Sequence, residues 1–203
     1  MIRTIFFDFG NVIAHFDHQR AVNRFVEHTS HSALELTLAI YGGGAESMYE
    51  KGLINTYSFF MAAIEVGKLT CTHEEFRAAF VDIFTPNEPV ISFIPTLRPQ
   101  YRLVLASNTN DAHFQHFREE YGDVLSYFDH LVLSHKVYAR KPHAKFYAAA
   151  QEYAQADVDE CLFIDDKPEN VQAAIQHGWQ GIVYRDFDDL RAQLREVGVA
   201  WNS

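Results

Sequence analysis

The sequence predicts an α/β protein in which a doubly wound parallel sheet carries an inserted helical segment. Five short runs of β-branched and aromatic residues have the length and composition of buried strands. The last four runs are separated by segments with helical spacing, an alternation typical of parallel sheets with helices on both faces. Between the first and second runs, nearly a hundred residues show helical periodicity and no convincing strand. This gap predicts a helical insertion.

The predicted strands and helices follow one another regularly along the chain. The strands are predicted at Thr4–Phe7, Arg102–Ala106, His130–Leu133, Cys161–Ile164 and Gly181–Tyr184. The helices that separate the last four strands are predicted at Asp111–Tyr121, His143–Gln155 and Glu169–His177. The order strand, helix, strand therefore recurs three times, as parallel crossover connections require.

The insertion contains three apolar stripes at helical spacing. They consist of Val22, Phe25 and Val26, of Phe60, Met61 and Ile64, and of Phe76, Phe80, Ile83 and Phe84. Thr85–Pro99, which holds four of the chain's six prolines, is expected to return the chain to the sheet. The sequence thus predicts an α/β core domain at 1–16 and 86–203. It also predicts a helical cap at 17–85, which we call the insertion.

Composition restricts the class of protein and of partner. Hydrophobic residues form 48% and charged residues 22% of the 203 residues, which is typical of a globular protein. Because 27 acidic residues exceed 17 Lys and Arg, the formal net charge is −10, and binding to nucleic acid or anionic lipid is disfavoured. A small anionic substrate is still compatible, since a local metal ion and lysine outweigh remote charges. We expect a monomer or a homodimer.

Cysteine content and the N-terminus bear on location. Cys71 and Cys161 are the two cysteines, and their spacing fits neither a zinc site nor a disulfide framework. The apolar run near the N-terminus is broken by Asp8 and has no signal-peptide cleavage pattern. No stretch approaches the 18 apolar residues of a membrane span. The sequence predicts a cytoplasmic protein.

Polar residues follow the predicted strands at the points where they end. Asp8 follows the first strand, Ser107 the second, and the adjacent Asp165 and Asp166 the fourth, while Lys141 lies shortly after the third. In an open parallel sheet, ligands bind beyond the carboxyl ends of the strands. Three carboxylates there would repel one another without a cation. Their oxygens are the ligands that Mg²⁺ prefers, so the sequence predicts a magnesium site.

The remaining residues at this edge suit a phosphoryl group. Ser107 and the amides that open the following helix offer donors and the positive end of a helix dipole. Lys141 supplies a point charge, and Pro142 is expected as a first helical residue. Asn108 and Thr109 are candidates for direct substrate contact, or they cap the helix that begins near Asn110.

Four segments carry a resemblance to a known family. FFDFGNVI, LASNTN, ARKP and FIDDKPENV, in that order, look like the four motifs of the haloacid dehalogenase superfamily. The insertion after the first strand is similar to a helical cap of that superfamily, and the core would be its Rossmann-like domain. Finer features, such as the start of the first motif, are similar to the branch that contains a bacterial alpha-D-glucose-1-phosphate phosphatase and the phosphatase domain of soluble epoxide hydrolases.

The resemblance implies a phosphoaspartyl mechanism on a small phosphorylated metabolite. Asp8 would be the nucleophile and, with the backbone carbonyl of Gly10 and with Asp166, would bind Mg²⁺. Asp165 would lie close to the metal ion. Ser107 would hold the transferring phosphoryl group, and Lys141 would offset negative charge on the nucleophile. Hydrolysis of the intermediate by water would complete covalent catalysis.

One position departs from the pattern of this superfamily. Most of its phosphatases carry a second aspartate two residues after the nucleophile, as general acid and base, and Gly10 stands there. Asp17, nine residues past the nucleophile, is a candidate for returning to the substrate site, or it caps the first helix of the insertion. Glu50 either lines the substrate pocket or is a solvated helix charge.

Three functions are compatible with these residues. The first is hydrolysis of a small phosphomonoester, with sugar phosphates favoured by the resemblance. The second is metal-independent hydrolysis of a carbon–halogen bond, which the adjacent carboxylates of Asp165 and Asp166 disfavour. The third is a catalytically weak phosphate-binding protein, because Gly10 replaces the usual aspartate.

Overall fold

Five parallel strands form the central sheet of the protein, which a computed structural model describes over residues 1–201. Along the chain the strands are β1 (Thr4–Phe7), β4 (Arg102–Ser107), β5 (His130–Leu133), β6 (Cys161–Asp165) and β7 (Gln180–Val183). Their order across the sheet is β5, β4, β1, β6, β7. Helices lie between successive strands after β4. The predicted fold class, a doubly wound parallel α/β sheet, is confirmed.

The helices fall into two groups along the chain. Those between the first two strands of the sheet are α1 (His18–Phe25), a 3-10 turn (Val26–His28), α2 (Ala33–Tyr41), α3 (Ala45–Glu50), α4 (Thr56–Gly67), α5 (His73–Val81) and α6 (Glu88–Leu97). Those that follow are α7 (Asp111–Glu120), α8 (Gly122–Leu125), α9 (Ser134–Val137), α10 (Ala144–Gln151), a 3-10 turn (Val158–Glu160), α11 (Pro168–His177) and α12 (Phe187–Glu196). Within residues 1–201, no helix has the length and apolar character needed to cross a membrane.

The structure corrects two local predictions. Two short strands, β2 (Ala14–Phe16) and β3 (Phe84–Pro86), pair antiparallel where no strand was expected. A three-residue strand is too short to produce a recognisable alternation of apolar and polar residues. Pro142 does not begin a helix: it follows Lys141 through a cis peptide bond, and α10 begins at Ala144 with His143 as its N-cap.

Buried side chains form three clusters. Alternate residues of the sheet point to opposite faces, so that one face packs a cluster around Phe7 and Leu105 and the other a cluster around Phe6 and Phe163. The third cluster consists almost entirely of residues of the insertion, with Phe60 among its fully buried side chains. The pairing of β2 with β3 joins the two ends of the insertion. The domain boundaries themselves stay a prediction.

Helix α3 and the turn after it fasten the insertion to the core. The buried Tyr49 hydroxyl accepts a hydrogen bond of 2.8 Å from the backbone N–H of Ala112, in the first turn of α7. Glu50 forms an ion pair of 3.0 Å with Arg140. Gly52 has φ of +66°, and a Cβ atom there would lie 2.3 Å from the backbone oxygen of His135. The insertion therefore approaches the edge of the sheet along α3.

Replacement of Gly52 by alanine should weaken this contact. Gly44→Ala is the matched control, because Gly44 also has a positive φ of +83° but has open space around its missing Cβ. The control should lose about 1 to 2 kcal/mol of unfolding free energy through backbone strain alone. Gly52→Ala should lose about 1 to 3 kcal/mol more, because its Cβ overlaps the His135 carbonyl. Urea denaturation measures both, and equal losses would show that the turn relaxes freely away from α9.

Candidate active site

Two neighbouring strands bring three carboxylates together at the carboxyl end of the sheet. Asp8 follows β1, Asp165 ends β6, and Asp166 is the next residue. One carboxylate oxygen from each can be chosen so that all lie within 4.8 Å of one another. Asp8 and Asp165 are buried and Asp166 is partly exposed. The structure thus gathers the acids that the sequence placed at separate strand ends.

A buried lysine bridges two of these acids. The Lys141 Nζ atom lies 2.8 Å from Asp8 Oδ1 and 2.6 Å from Asp165 Oδ2, and no part of its side chain is exposed. Burial alone would lower the pKa of Lys141, but the charges and hydrogen bonds of Asp165 and Asp8 outweigh it, and the pKa is raised. A buried ammonium group is tolerated only when paired and hydrogen-bonded in this way.

Asp8 lies in an environment with an excess of negative charge. Burial raises the pKa of Asp8, the ammonium of Lys141 works in the opposite direction, and the charges of Asp165 and Asp166 raise the pKa further. One ammonium group cannot neutralise three carboxylates. A divalent cation would remove the imbalance, and an all-oxygen donor set without Cys or His fits Mg²⁺ better than zinc.

The carboxylate oxygens of Asp165 are largely occupied by protein donors. Oδ1 accepts hydrogen bonds of 2.9 Å from both the Lys167 backbone N–H and the Asn170 side chain. Oδ2 accepts from Asn170 at 3.0 Å and from Lys141 at 2.6 Å. Asp165 is therefore held as an anchor for Lys141. Asp8 and Asp166 have more capacity left for a metal ion.

Two residues that sequence reasoning did not single out orient these acids. Asn170, buried in the first turn of α11, fixes Asp165 as described. The Asn11 side chain donates a hydrogen bond of 2.9 Å to Asp166 Oδ2. Both asparagines lie inside the FFDFGNVI and FIDDKPENV segments, so their position in these segments was the available signal.

The amide side chain in the segment after β4 has a structural contact that sequence reasoning did not predict. The Asn108 Oδ1 atom accepts from the Lys141 backbone N–H at 2.8 Å, and its Nδ2 donates to the Lys141 carbonyl at 3.0 Å. Asn110, not Asn108 or Thr109, is the N-cap of α7. The capping alternative is therefore wrong. Asn108 holds the loop that carries Lys141, and direct substrate contact by Asn108 and Thr109 stays a prediction.

Ser107 and Thr109 line the same edge. Ser107 is the last residue of β4 and is buried, and its Oγ contacts the Asn108 carbonyl oxygen at the long distance of 3.4 Å. The Thr109 backbone N–H donates to Ser134 Oγ at 2.9 Å. The Ser107 hydroxyl can therefore reorient toward a bound anion, whereas the Thr109 amide already has a partner.

Asp17 lies at the start of α1 rather than among the acids. Its side chain is exposed and accepts a hydrogen bond of 2.8 Å from the Gln19 backbone N–H, which makes it the helix N-cap. The structure favours this capping role, and no contact of Asp17 supports the predicted substrate-binding role.

A small cavity of about 60 Å³ separates the core from the insertion at this site. The core contributes Gly10 and Ser107 to its lining, and the insertion contributes His18, Glu46 and Glu50. The arrangement places a partly enclosed space between donors on the sheet edge and polar groups on the insertion.

A larger open cleft of about 460 Å³ lies beside this cavity, and Asn108 lines both. Its lining includes the cationic side chains of Lys51, Arg140 and Lys167. The two spaces together could accept an anionic group and the molecule attached to it.

Comparisons with known proteins agree with this geometry. A family model described as a haloacid dehalogenase-like hydrolase matches residues 2–178. The chain is 26% identical over 203 residues to a D-ribitol-5-phosphate phosphatase of Bacteroides thetaiotaomicron, with 97% of this chain and 98% of the relative covered.

Solved structures share the fold. A HAD-like family hydrolase from Porphyromonas gingivalis superposes with a TM-score of 0.84 at 23% identity, covering 98% of each chain. A HAD family enzyme from Bacteroides thetaiotaomicron, in complex with magnesium and inorganic phosphate, gives a TM-score of 0.77 at 22% identity, covering 94% of this chain and 99% of the other. At sequence identities of 22% and 23%, the similarity to these two structures establishes a shared fold.

Removal of the buried ammonium should destabilise the protein strongly. Lys141→Met keeps most of the side-chain volume but leaves Asp8 and Asp165 without their shared partner, which should cost about 3 to 5 kcal/mol. Lys136→Met is the matched control, because the exposed Lys136 contacts Asp111 at 3.7 Å and should contribute less than about 1 kcal/mol. Urea denaturation with chelator present measures both. Similar small losses would mean that water or protons replace Lys141 without cost.

Proposed function

Since the chain belongs to the haloacid dehalogenase-like hydrolase family, we propose that it is a magnesium-dependent phosphatase of small phosphomonoesters, with a sugar or polyol phosphate as substrate. The resemblance carried by its four segments is confirmed by that membership. The observation that carries the proposal is the cluster of Asp8, Asp165 and Asp166 around the buried Lys141. Such a cluster suits a reaction in which negative charge on a phosphoryl group must be held and moved.

Asp8 is the proposed nucleophile. A carboxylate oxygen of Asp8 attacks phosphorus while the bond from phosphorus to the leaving oxygen breaks, and an aspartyl phosphate forms. Water then attacks phosphorus and releases inorganic phosphate and the Asp8 carboxylate. The Asp8 carboxylate has two described contacts, with the Phe9 backbone N–H and with the Lys141 ammonium, and both are made by Oδ1.

Lys141 and the magnesium ion divide the work of charge compensation. The Lys141 ammonium lies 2.8 Å from Asp8 Oδ1 and offsets the negative charge of this carboxylate. Magnesium, when bound by Asp8, the Gly10 carbonyl and Asp166, would supply electrophilic stabilisation of the phosphoryl oxygens. Asp165, saturated by protein donors, keeps Lys141 in position.

Ser107 and the small cavity support phosphoryl binding. The weakly engaged Ser107 hydroxyl faces the same cavity as Gly10, and can donate to a phosphoryl oxygen. The proposed substrate is small because the insertion lines that cavity with His18, Glu46 and Glu50. The D-ribitol-5-phosphate phosphatase that is similar to this protein over 97% of its chain supports the proposal of a sugar or polyol phosphate as substrate.

The two alternative functions are less well supported. Halide displacement needs no metal ion, and a cluster of three carboxylates is an unfavourable surrounding for it without one. A binding protein without turnover would not need Lys141 in contact with the attacking carboxylate. A screen of aliphatic and aryl phosphates, with a 2-haloacid included, separates all three.

Hydrolysis should depend on magnesium. With an aryl phosphate or a sugar phosphate as substrate, we expect turnover with millimolar Mg²⁺ and at least about a hundredfold loss in excess chelator, since the carboxylates repel the phosphate when no cation is bound. Release of inorganic phosphate measures the rate. Restoration of activity by added Mg²⁺ is the control, and undiminished hydrolysis in chelator would contradict the proposal.

Asp8→Asn should abolish turnover without unfolding the protein. The amide is nearly isosteric but is not a nucleophile, so kcat should fall by about 10⁴-fold or more, in the range seen when a covalent nucleophile is removed. Asp188→Asn, at an exposed position in α12, is the matched control and should keep full activity. Thermal unfolding of both variants checks the fold. Substantial activity in Asp8→Asn would point to a different nucleophile.

A further inference from the structure

The aspartate that is absent at Gly10 is replaced locally by an aromatic ring. A Cβ atom on Gly10 would lie 3.0 Å from Cε1 and 3.1 Å from Cδ1 of Phe16. The ring therefore occupies the space into which an acidic side chain at this position would extend. Since Phe16 ends β2 and β2 pairs with β3, the ring is part of the ladder that closes the insertion. A proton donor for the leaving group has to come from elsewhere.

The insertion places three polar side chains against the space beside Gly10. The cavity there is about 60 Å³, and about 10 to 15 Å³ on this measure holds one water molecule. The cavity therefore exceeds the minimum for one water molecule and can admit a small polar group beside Gly10. A side chain that lines the same cavity as Gly10 and Ser107 is within the space where the leaving oxygen of a bound phosphate would lie. The polar residues that the insertion contributes to this lining are His18, Glu46 and Glu50.

We propose that Glu46 is the general acid and base of this enzyme and takes the role of the aspartate missing at Gly10. The assignment rests on the proposed phosphatase function and names the residue that handles its proton. Asp17 is excluded by its exposed position at the helix N-cap. Glu50 already has an ion-pair partner, Arg140, at 3.0 Å, and burial raises the pKa of Glu50 although Arg140 acts in the opposite direction.

The surroundings of Glu46 favour a protonated carboxyl group. Burial raises the pKa of Glu46 to about 8, the charge of Glu50 raises it further, and Arg140 and Lys167 act in the opposite direction. His18 Nε2 lies 4.0 Å from Glu46 Oε1. Burial lowers the pKa of His18 to about 4, so its ring is neutral near pH 7 and does not draw the proton from Glu46.

Two buried polar atoms near Glu46 lack a hydrogen-bond partner among the described residues. The Nδ1 atom of His18 and the hydroxyl of Tyr41 are buried and have no hydrogen-bond partner in residues 1–201. The Tyr41 and His18 rings are in contact, with centroids 4.3 Å apart and planes inclined at 41°. The unpartnered atoms of these two side chains can form hydrogen bonds when a substrate or water enters.

The proton balance of both steps is complete with Glu46. As the bond from Asp8 to phosphorus forms, the electron pair of the breaking P–O bond goes to the leaving oxygen, which takes the Glu46 proton and departs as an alcohol. In the second step water attacks phosphorus and gives one proton to the Glu46 carboxylate, while the bond to Asp8 breaks. Glu46 is again protonated and Asp8 again a carboxylate at the end of the cycle.

The test compares two leaving groups in Glu46→Gln. An aliphatic sugar or polyol phosphate leaves as a poor alkoxide, whereas 4-nitrophenyl phosphate leaves as a stabilised phenolate that needs no proton. Glu46→Gln should therefore lower kcat/KM for the aliphatic substrate by about a hundredfold or more. For 4-nitrophenyl phosphate, kcat/KM, which reports formation of the aspartyl phosphate, should change by less than about threefold. Glu65→Gln, an exposed glutamate of α4, is the matched control and should change neither rate.

Two further readouts separate proton donation from a structural role. Across aryl phosphates of increasing phenol pKa, kcat/KM should fall more steeply in Glu46→Gln than in the wild type. The wild-type rate on the aliphatic substrate should also fall above about pH 8, where Glu46 loses its proton, and this limb should be absent from Glu46→Gln. A retained kcat/KM for 4-nitrophenyl phosphate shows that the variant is folded, whereas kcat falls with either substrate where hydrolysis of the aspartyl phosphate limits the rate.

Several outcomes would overturn the assignment. Equal losses of kcat/KM on both substrate classes, or no loss of kcat/KM on either, would do so, as would a selective loss of aliphatic kcat/KM in Asp17→Asn with none in Glu46→Gln. Failure of the proposed function looks different, because the wild type itself would then release no phosphate from either substrate in the presence of Mg²⁺.

Discussion

The contact on which the rest of the site depends is the buried ammonium of Lys141 between Asp8 and Asp165. Removing an ammonium and two carboxylates from water costs several kcal/mol for each ion, and close geometry with further hydrogen bonds must offset that cost. Asn170 completes the coordination of Asp165, and Asn108 fixes the backbone of Lys141. The ends of β1, β4 and β6 and the loop before α10 are thereby fixed relative to one another.

The parts that follow from parallel-sheet geometry could be predicted from the sequence. The strands of a doubly wound sheet present their carboxyl ends at one edge, so that Asp8, Ser107 and Asp165 had to lie near one another once the strands were identified. Strand positions were recognisable because fully buried runs are apolar throughout, and β1 and β5 have the predicted bounds. The helices between strands followed from their apolar spacing for the same reason.

The parts that depend on distant partners could not be predicted. The short ladder of β2 and β3 joins segments about 70 residues apart, and three residues carry too little alternation to be recognised. Asn108 gave no local sign that it would bind the backbone of Lys141, 33 positions away. An amide after a strand suits a substrate contact or a helix cap equally well, and only the tertiary structure reveals the contact of Asn108 with the Lys141 backbone.

The proposal that Glu46 replaces the acid missing at Gly10 also depends on packing between segments that are distant in the sequence. Because the Phe16 ring lies beside Gly10, a larger side chain at that position would require the ring to shift. Glu46 lies on α3, the helix whose Tyr49 and Glu50 contact the core. If the acid is Glu46, the residues that hold the insertion against the sheet also determine where the proton is delivered. Both the fit of the leaving group and its protonation would then depend on α3, a helix of six residues. A substrate that displaces α3 would therefore fit poorly and would also lack its proton donor.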